Sequence, residues 1–254
     1  MAQLQLTPDQ QAHKGLIERF LLYINAQDTQ YVLKGGTALM ECYGLDRFSE
    51  DIDLDGRGGS IKKYVDHFAK REGISYTIKK DTDTVKRFML HTGEDTLKIE
   101  VSYRSRQIDP ETVQTVNGIQ VYVIDSLAMM KNNAYQKRYK IRDMYDLTFM
   151  LEHYYDQIEP GTRRAIADQL SDRGYERFDE LVKDQSDALI PPDRIDEMTI
   201  NFLGAWEKLG LIDDQVPTID LVKQPGTSLD DAISSAKRTA THGSRQRNDR
   251  SIER

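Results

Sequence analysis

Two aspartates spaced two residues apart, Asp51 and Asp53, have the spacing in this sequence that best suits phosphate chemistry. Polar and apolar residues alternate from Phe48 to Leu54. A β-strand there places both carboxylates on one face and Ile52 on the other. Carboxylates placed in this way can bridge two divalent ions, which in nucleotidyl transfer activate the attacking oxygen and hold the triphosphate. A D-x-D pair alone is weak evidence, because acidic pairs are common on solvent-facing strands.

A glycine pair upstream, Gly35 and Gly36, makes the acidic pair more informative. A short apolar strand at 31–33 leads into it, and a predicted helix over 37–43 follows. Glycine lets the backbone approach a phosphate closely, and the helix start offers free N–H groups. Thr37 could add a hydroxyl donor. The alternative is an ordinary strand-to-helix turn, and the lack of a following Gly-Lys-Thr or Gly-Lys-Ser excludes a P-loop ATPase.

A third carboxylate is expected from a neighbouring strand, because two carboxylates alone leave one metal ion weakly held. Glu100 is the candidate, in an alternating segment where Lys98 and Glu100 share a face. The alternative is a solvated strand face. Oxygen ligands favour Mg²⁺ or Mn²⁺. The five histidines show no metal-ligand spacing, which argues against zinc.

The elements that must position these residues are mixed in the first half of the chain and helical in the second. Helices are predicted at about 7–27, 37–43 and 61–72, strands at 31–33, 48–54, 75–80, 85–90 and 97–102, and a hairpin turns at Asn117-Gly118. After Asp125, a predicted N-cap, helices are predicted at 126–138, 142–153, 162–170, 176–185 and 194–209. The fold class is therefore α+β, with a mixed sheet flanked by helices in an N-terminal lobe (1–125), a C-terminal helical bundle lobe (126–216) and a disordered tail (217–254).

Composition narrows the class of protein. The 254 residues carry a net charge of −7, one cysteine and no apolar run long enough to span a bilayer. No signal peptide is visible, so we expect a cytoplasmic protein. The charge argues against a protein that coats nucleic acid, and a nucleic-acid substrate would need a local basic patch. Beyond residue 222 there are seven basic and four acidic residues, which leaves the tail at +3.

The order of these segments resembles a known family. Lys34-Gly35-Gly36-Thr37-Ala38-Leu39, followed by Arg47 to Leu54, resembles the first motif of the AbiEii/AbiGii toxin nucleotidyltransferases, within the DNA polymerase beta-type superfamily. Lys98-Ile99-Glu100 resembles the second motif. The third is similar to a set of helical residues: Lys131, Arg138, Arg142, Asp143 and Asp146. The resemblance covers about residues 30 to 150.

The resemblance implies roles for the residues that match. Asp51 and Asp53 would bind the metal ions, with Glu100 as the third ligand. The triphosphate would be held by Gly35, Gly36, Thr37 and Ser49, steadied by Lys131 and reached by Arg47. Asp146 would act as the base for the attacking hydroxyl or would orient Lys131, and both roles stay open. Without the resemblance, Lys131 and Asp146 would be interpreted as a surface ion pair.

The implied activity is transfer of a nucleoside monophosphate from an NTP to RNA, in particular the 3′ end of tRNA, with release of pyrophosphate and arrest of translation. It also implies a cognate antitoxin encoded nearby and a role in growth arrest or phage defence. RNA phosphates could bind the basic residues Lys137, Arg138, Lys140 and Arg142. Tyr135 and Tyr139 could stack bases or pack between helices. Two alternatives remain: transfer to a protein or small-molecule hydroxyl, and a non-catalytic module that binds nucleotide or RNA.

Overall fold

The computed structural model describes residues 4–27, 30–93, 95–105, 107–138, 140–183, 189–190 and 192–211. The predicted tail at 217–254 and Tyr139 lie outside these residues. The chain divides into two compact units, of which the first extends to Lys131 and the second begins at Asn132.

The first unit is built on one seven-stranded mixed sheet. In chain order the strands are β1 (Tyr31–Lys34), β2 (Asp51–Gly56), β3 (Ser75–Asp81), β4 (Val85–Thr92), β5 (Asp95–Ser102), β6 (Val113–Val116) and β7 (Ile119–Tyr122). Their spatial order is β3-β4-β5-β2-β1-β7-β6. The pairs β2–β5 and β1–β7 are parallel, and the other four are antiparallel. The two strands predicted to carry the carboxylates are therefore neighbours at the centre of the sheet.

Helices cover the apolar side of this sheet. The first unit contains α1 (Pro8–Gln27), α2 (Gly35–Tyr43), α3 (Lys62–Glu72) and the first part of α4 (Ile124–Arg138). Phe20 of α1 and Phe68 of α3 are fully buried and meet edge to face, with ring centroids 5.1 Å apart. Ile52 and Ile99 on the central strands are also fully buried. This core leaves the opposite face of β2 and β5 free for polar side chains.

The described part of the second unit is helical. It contains the end of α4, then α5 (Ile141–His153), α6 (Pro160–Lys183) and α7 (Pro192–Lys208). Helix α5 packs against α7, and nearly all of its side chains are buried. The Tyr155 hydroxyl donates to the Lys208 carbonyl at 2.8 Å, and Lys208 Nζ donates to the Glu152 carbonyl at 3.2 Å. Among the described residues, no helix is both long enough and apolar enough to cross a membrane.

The α+β class with a mixed sheet flanked by helices is confirmed. Four local predictions were wrong. The helices predicted at 162–170 and 176–185 are one helix, α6, because a glycine inside a helix costs only about 1 kcal/mol. Asp125 is not an N-cap but lies in the first turn of α4. Strand β2 begins at Asp51, three residues after its predicted start, and the glycine pair lies inside α2 instead of before it.

Candidate active site

The junction between β1 and α2 requires both of its glycines. Gly35 has a φ of +81°, a left-handed conformation that other residues rarely adopt. A Cβ added to Gly36 would lie 2.8 Å from both Arg47 Nη2 and Ser49 Oγ. The first turn of α2 has no side-chain cap, so its N–H groups are not consumed by Lys34. The glycine pair therefore brings this backbone against the segment that precedes β2.

That segment, residues 44–50, has no regular secondary structure and is held by side chains. The Thr37 hydroxyl lies 2.9 Å from Ser49 Oγ and within hydrogen-bond reach of the Asp51 carbonyl oxygen. Because a hydroxyl has one hydrogen, these acceptors occupy the donor that the sequence assigned to a triphosphate. Arg47 is buried, and its Nη1 donates to the Phe48 carbonyl at 3.0 Å. We therefore expect Thr37 to position Ser49 and Asp51.

Three carboxylates share the polar face of the sheet. Asp51 and Asp53 lie on one face of β2, as the alternation predicted, with Ile52 buried on the other. Glu100 of β5 is the direct register partner of Asp53. Side chains of register partners on neighbouring strands point the same way, so Glu100 lies beside Asp53. The sheet thus places the three predicted metal ligands on one face at its centre.

Cationic side chains partly neutralise this acidic face. Lys98 pairs with Asp51, and Arg87 of β4 pairs with Glu100 at 2.6 Å. The carboxylate of Asp53 makes no hydrogen bond or ion pair with any other described residue. A single row of register partners crosses five strands in the order Lys34, Asp53, Glu100, Arg87 and Lys80. The row places the acidic centre between cations on both sides.

Electrostatics single out Asp53 among the three carboxylates. Burial raises the pKa of Asp53, Lys98 opposes that increase, and repulsion from Asp51 and Glu100 adds to it. The ionised form is therefore costly when no additional cation is bound. An ion or a phosphate-bound metal that approached Asp53 would relieve this cost.

A buried cluster beside the site was missed by the sequence analysis. Asp55 is the third aspartate on this face of β2 and is 5% exposed. Its Oδ1 lies 2.5 Å from Lys34 Nζ, and its Oδ2 accepts a hydrogen bond from the Tyr122 hydroxyl at 3.0 Å. Burial, followed by the charge of Asp55, raises the pKa of Tyr122, which keeps its proton on the hydroxyl. The D-x-D-x-D alternation was the sequence signal that could have identified Asp55.

The remaining predicted residues lie on helices of both units. Lys131, at the end of the first unit, is buried, and Asp146 of α5 in the second unit is fully buried. Arg138 Nε and Nη2 donate hydrogen bonds of 2.6 and 2.7 Å to the two carboxylate oxygens of the fully buried Asp143. These charged side chains are therefore integrated into the fold, unlike the surface ion pair considered for Lys131 and Asp146.

The basic residues predicted to bind RNA differ in exposure. Lys137, Arg138 and Lys140 are exposed, and Arg142 is half-buried. Arg138 is already engaged by Asp143. Tyr135 is 1% exposed, which favours packing over base stacking. Lys137 and Lys140 are therefore exposed cations of the predicted patch that Asp143 does not engage.

The residues of the acidic face fit an oxygen-preferring divalent ion in part. The Asp53 carboxylate is unsatisfied within the described residues, and a Cβ on Gly35 would lie 3.4 Å from its Oδ2, so the glycine keeps that space open. In the described part of the chain, no group of three His, Cys, Asp or Glu side chains is close enough to hold a metal ion. Mg²⁺ usually binds one or two carboxylates and retains water and phosphate oxygens. Asp51 and Asp53 suit such a site, although Asp51 would first have to release Lys98, and Glu100 would first have to release Arg87.

Comparisons with known proteins agree with this geometry. The family model described as the nucleotidyl transferase AbiEii toxin of type IV toxin–antitoxin systems matches residues 19–208. The chain is similar to JHP933 from Helicobacter pylori, with 29% identity, a TM-score of 0.66 and coverage of 81% of this chain and 95% of that one. It is also similar to a solved H. pylori structure described as a nucleotidyltransferase, with 28% identity, a TM-score of 0.65 and coverage of 81% and 98%. No curated protein matches. The family model spans most of the sequence, including the glycine turn, the acidic strand and Glu100, and the chain belongs to the AbiEii family of type IV toxin nucleotidyltransferases.

Proposed function

We propose that this protein transfers a nucleoside monophosphate from an NTP to an RNA hydroxyl, releases pyrophosphate and thereby arrests translation, with the 3′ end of tRNA as the acceptor. Membership of the family implies an NTP substrate and an antitoxin partner. One observation carries the catalytic part of the proposal. Asp51 and Asp53 share a strand face with Glu100, and the Gly35 turn approaches Asp53.

The nucleotide side of the reaction follows from the β1–α2 junction. The uncapped N–H groups at the start of α2 and the Ser49 hydroxyl offer hydrogen bonds to triphosphate oxygens. Asp51 and Asp53 would hold Mg²⁺ or Mn²⁺, which when bound neutralises charge on the triphosphate and lowers the pKa of the attacking hydroxyl. Lys98 then has to leave Asp51, which frees its ammonium for the triphosphate.

The resemblance to the family suggests residues for the remaining roles. Lys131 would steady charge on the triphosphate, and Arg47 would contact the nucleotide. Asp146 would accept the proton of the attacking hydroxyl or orient Lys131. A fully buried carboxylate such as Asp146 needs a partner when it is ionised, which suits either role.

The proposal of RNA as the acceptor is supported by positively charged side chains on the surface. In a protein of net charge −7, the exposed Lys137 and Lys140 are local sites where RNA phosphates would be attracted. The same catalytic residues would serve transfer to a protein or small-molecule hydroxyl. A purely nucleotide-binding module is disfavoured, because such a module has no need for three carboxylates on one face of the sheet. The cellular role that matches this activity is that of a soluble cytoplasmic enzyme, acting in growth arrest or phage defence.

The test is incubation of the full chain with Mg²⁺, total tRNA and each α-labelled NTP in turn. Asp51→Asn is the inactive variant, and Asp83→Asn is its matched control on an exposed turn between β3 and β4. Label in tRNA from the wild type and Asp83→Asn, but not from Asp51→Asn, is expected. If label instead enters added protein or small molecules, the acceptor is wrong; if no acceptor is labelled with any NTP, the transferase proposal fails.

A further inference from the structure

One buried histidine, His13, has no role in the function proposed above. It lies on α1, whose buried face otherwise consists of apolar side chains: Leu16, Ile17, Phe20, Leu21 and Ile24. The side chain of His13 is 7% exposed, and its ring meets Phe48 edge to face at 5.7 Å. A polar ring at a core position needs hydrogen-bond partners for both of its nitrogens.

Both nitrogens of His13 have such partners. Nδ1 lies 2.5 Å from Asp95 Oδ2, at the start of β5, and Nε2 lies 2.8 Å from the carbonyl oxygen of Glu50. A carbonyl oxygen can only accept, so Nε2 carries a hydrogen and donates it to Glu50. Asp95 contacts the other ring nitrogen, Nδ1, from a side chain that is half exposed. The ring thereby ties α1 to the starts of two neighbouring parallel strands.

Glu50 is the last residue before β2, and it immediately precedes Asp51. The segment over residues 44–50 lacks a strand ladder, so side-chain hydrogen bonds fix its path. Thr37 holds it at Ser49, and His13 holds it at Glu50. The peptide group between Glu50 and Asp51 is thus held through the Glu50 carbonyl oxygen. The side chain of Asp51, which follows directly, lies on the polar face of the sheet.

We propose that His13 is a positioning residue of the active site, which fixes Ser49 and Asp51 by donating from Nε2 to the Glu50 carbonyl. The role of this segment in the active site rests on the proposed function. The contact between His13 and Glu50, and its effect on the path of the segment, do not. The Nε2 bond is the part that matters for the site, and the Nδ1 contact with the half-exposed Asp95 is not required for it.

Two amide substitutions separate the two nitrogens. The amide nitrogen of His13→Gln can reach the position of Nε2 and keep the Glu50 bond, whereas that of His13→Asn matches Nδ1 and keeps only the Asp95 bond. Two readouts are measured on the full chain: hydrogen exchange of peptides over residues 44–51, and Mn²⁺ binding followed by electron paramagnetic resonance. His67→Asn, on the exposed face of α3, is the matched control.

We expect His13→Asn to speed exchange over residues 44–51 and to weaken Mn²⁺ binding about 10- to 100-fold. His13→Gln and His67→Asn should stay within about threefold of the wild type in both readouts. Loss of a positioning contact is expected to change Mn²⁺ affinity by at least about tenfold, so the two outcomes are distinguishable. Equal losses in His13→Gln and His13→Asn would overturn the proposal, because they would indicate a role in packing α1. Unchanged exchange in a folded His13→Asn would overturn it as well.

The two proposals can fail separately. If the wild type binds neither Mn²⁺ nor NTP, the proposed function fails, and hydrogen exchange still tests the His13 anchor. If His13→Asn does not fold, Asp95→Ala replaces it, because this variant keeps the Nε2 bond to Glu50 and should retain protection over residues 44–51. Loss of that protection in Asp95→Ala or in His13→Gln would refute the assignment to Nε2.

Discussion

Replacing Asp53 with asparagine should make the metal-free protein more stable while it abolishes metal binding. The neutral amide has nearly the same shape, so the change removes charge and little else. Burial, with repulsion from Asp51 and Glu100, raises the pKa of Asp53, although Lys98 opposes this increase. A raised pKa means that the folded chain binds this proton more tightly than the unfolded chain, so the ionised group favours unfolding. The penalty is present at neutral pH and disappears as the pH falls below the raised pKa.

The magnitude follows from the environment of the side chain. A buried polar group without a partner costs about 1–3 kcal/mol, and more when it is charged, so the change to a neutral amide removes part of this cost. Because Asp53 is only partly buried by surface area, we take the lower end, about 1 kcal/mol, which is a rise in Tm of about 2–4 °C in a chain of this size. A bound ion at a hundredfold excess over its Kd should stabilise the wild type by about 2.7 kcal/mol. Asp53→Asn should lose that stabilisation.

Thermal unfolding in EDTA and in Mn²⁺ measures both effects, with Asp83→Asn as the control. In EDTA, Asp53→Asn should melt above the wild type, and lowering the pH should narrow the difference. In Mn²⁺ the order should reverse. A variant that melts below the wild type in EDTA, or that gains as much from Mn²⁺ as the wild type does, would refute the reasoning.

Three further predictions concern the turn, the ion pair and the core. Gly36→Ala should weaken NTP binding about tenfold or more by calorimetry, because its Cβ would lie 2.8 Å from Ser49 Oγ and displace it. Lys98→Met should tighten Mn²⁺ binding about five- to tenfold, because it removes a partly exposed cation that competes for Asp51. Phe68→Ala should lower the free energy of unfolding by about 3–5 kcal/mol in urea, because the ring is fully buried.

Each of these changes has a matched control in the chain. Gly204→Ala adds a methyl where no atom lies within 4 Å, and it should leave NTP binding unchanged. Lys86→Met removes an ammonium paired with Asp81 at the edge of the sheet, so Mn²⁺ affinity should not change. Ile78→Ala truncates a side chain that is 39% exposed and should cost well under the loss from Phe68→Ala. Equal effects in a variant and its control would contradict the structural reason given.

The centre of the site could be predicted because its pattern is local. Alternation of period two around Asp51 and Asp53 specifies which face each carboxylate takes, and Glu100 follows by the same rule on β5. The resemblance to the family lay in the motifs around the glycine pair, the acidic strand and Glu100. The direct pairing of Asp53 with Glu100 depends on strand order and register, which periodicity alone does not contain.

The contacts of the site could not be predicted because they join residues that are distant in sequence. His13 and Glu50 are 37 residues apart, and no spacing rule connects a helix residue to a backbone carbonyl at the start of a strand. The pairs Lys98–Asp51 and Arg87–Glu100 likewise depend on the register of β4, β5 and β2. For helix α6 the error is of another kind. The local sequence indicated a break between two helices, but the helix continues through it.

The most direct test of nucleotidyl transfer at Asp51 and Asp53 compares two positions of the label in one NTP. The full chain is incubated with Mg²⁺, total tRNA and the NTP that supports labelling, carrying ³²P at either the α- or the γ-phosphate. Transfer of a nucleoside monophosphate predicts that α-label enters the acceptor and that γ-label leaves as pyrophosphate, with neither product formed by Asp51→Asn. Entry of γ-label into the acceptor, or full activity of Asp51→Asn, would contradict the account.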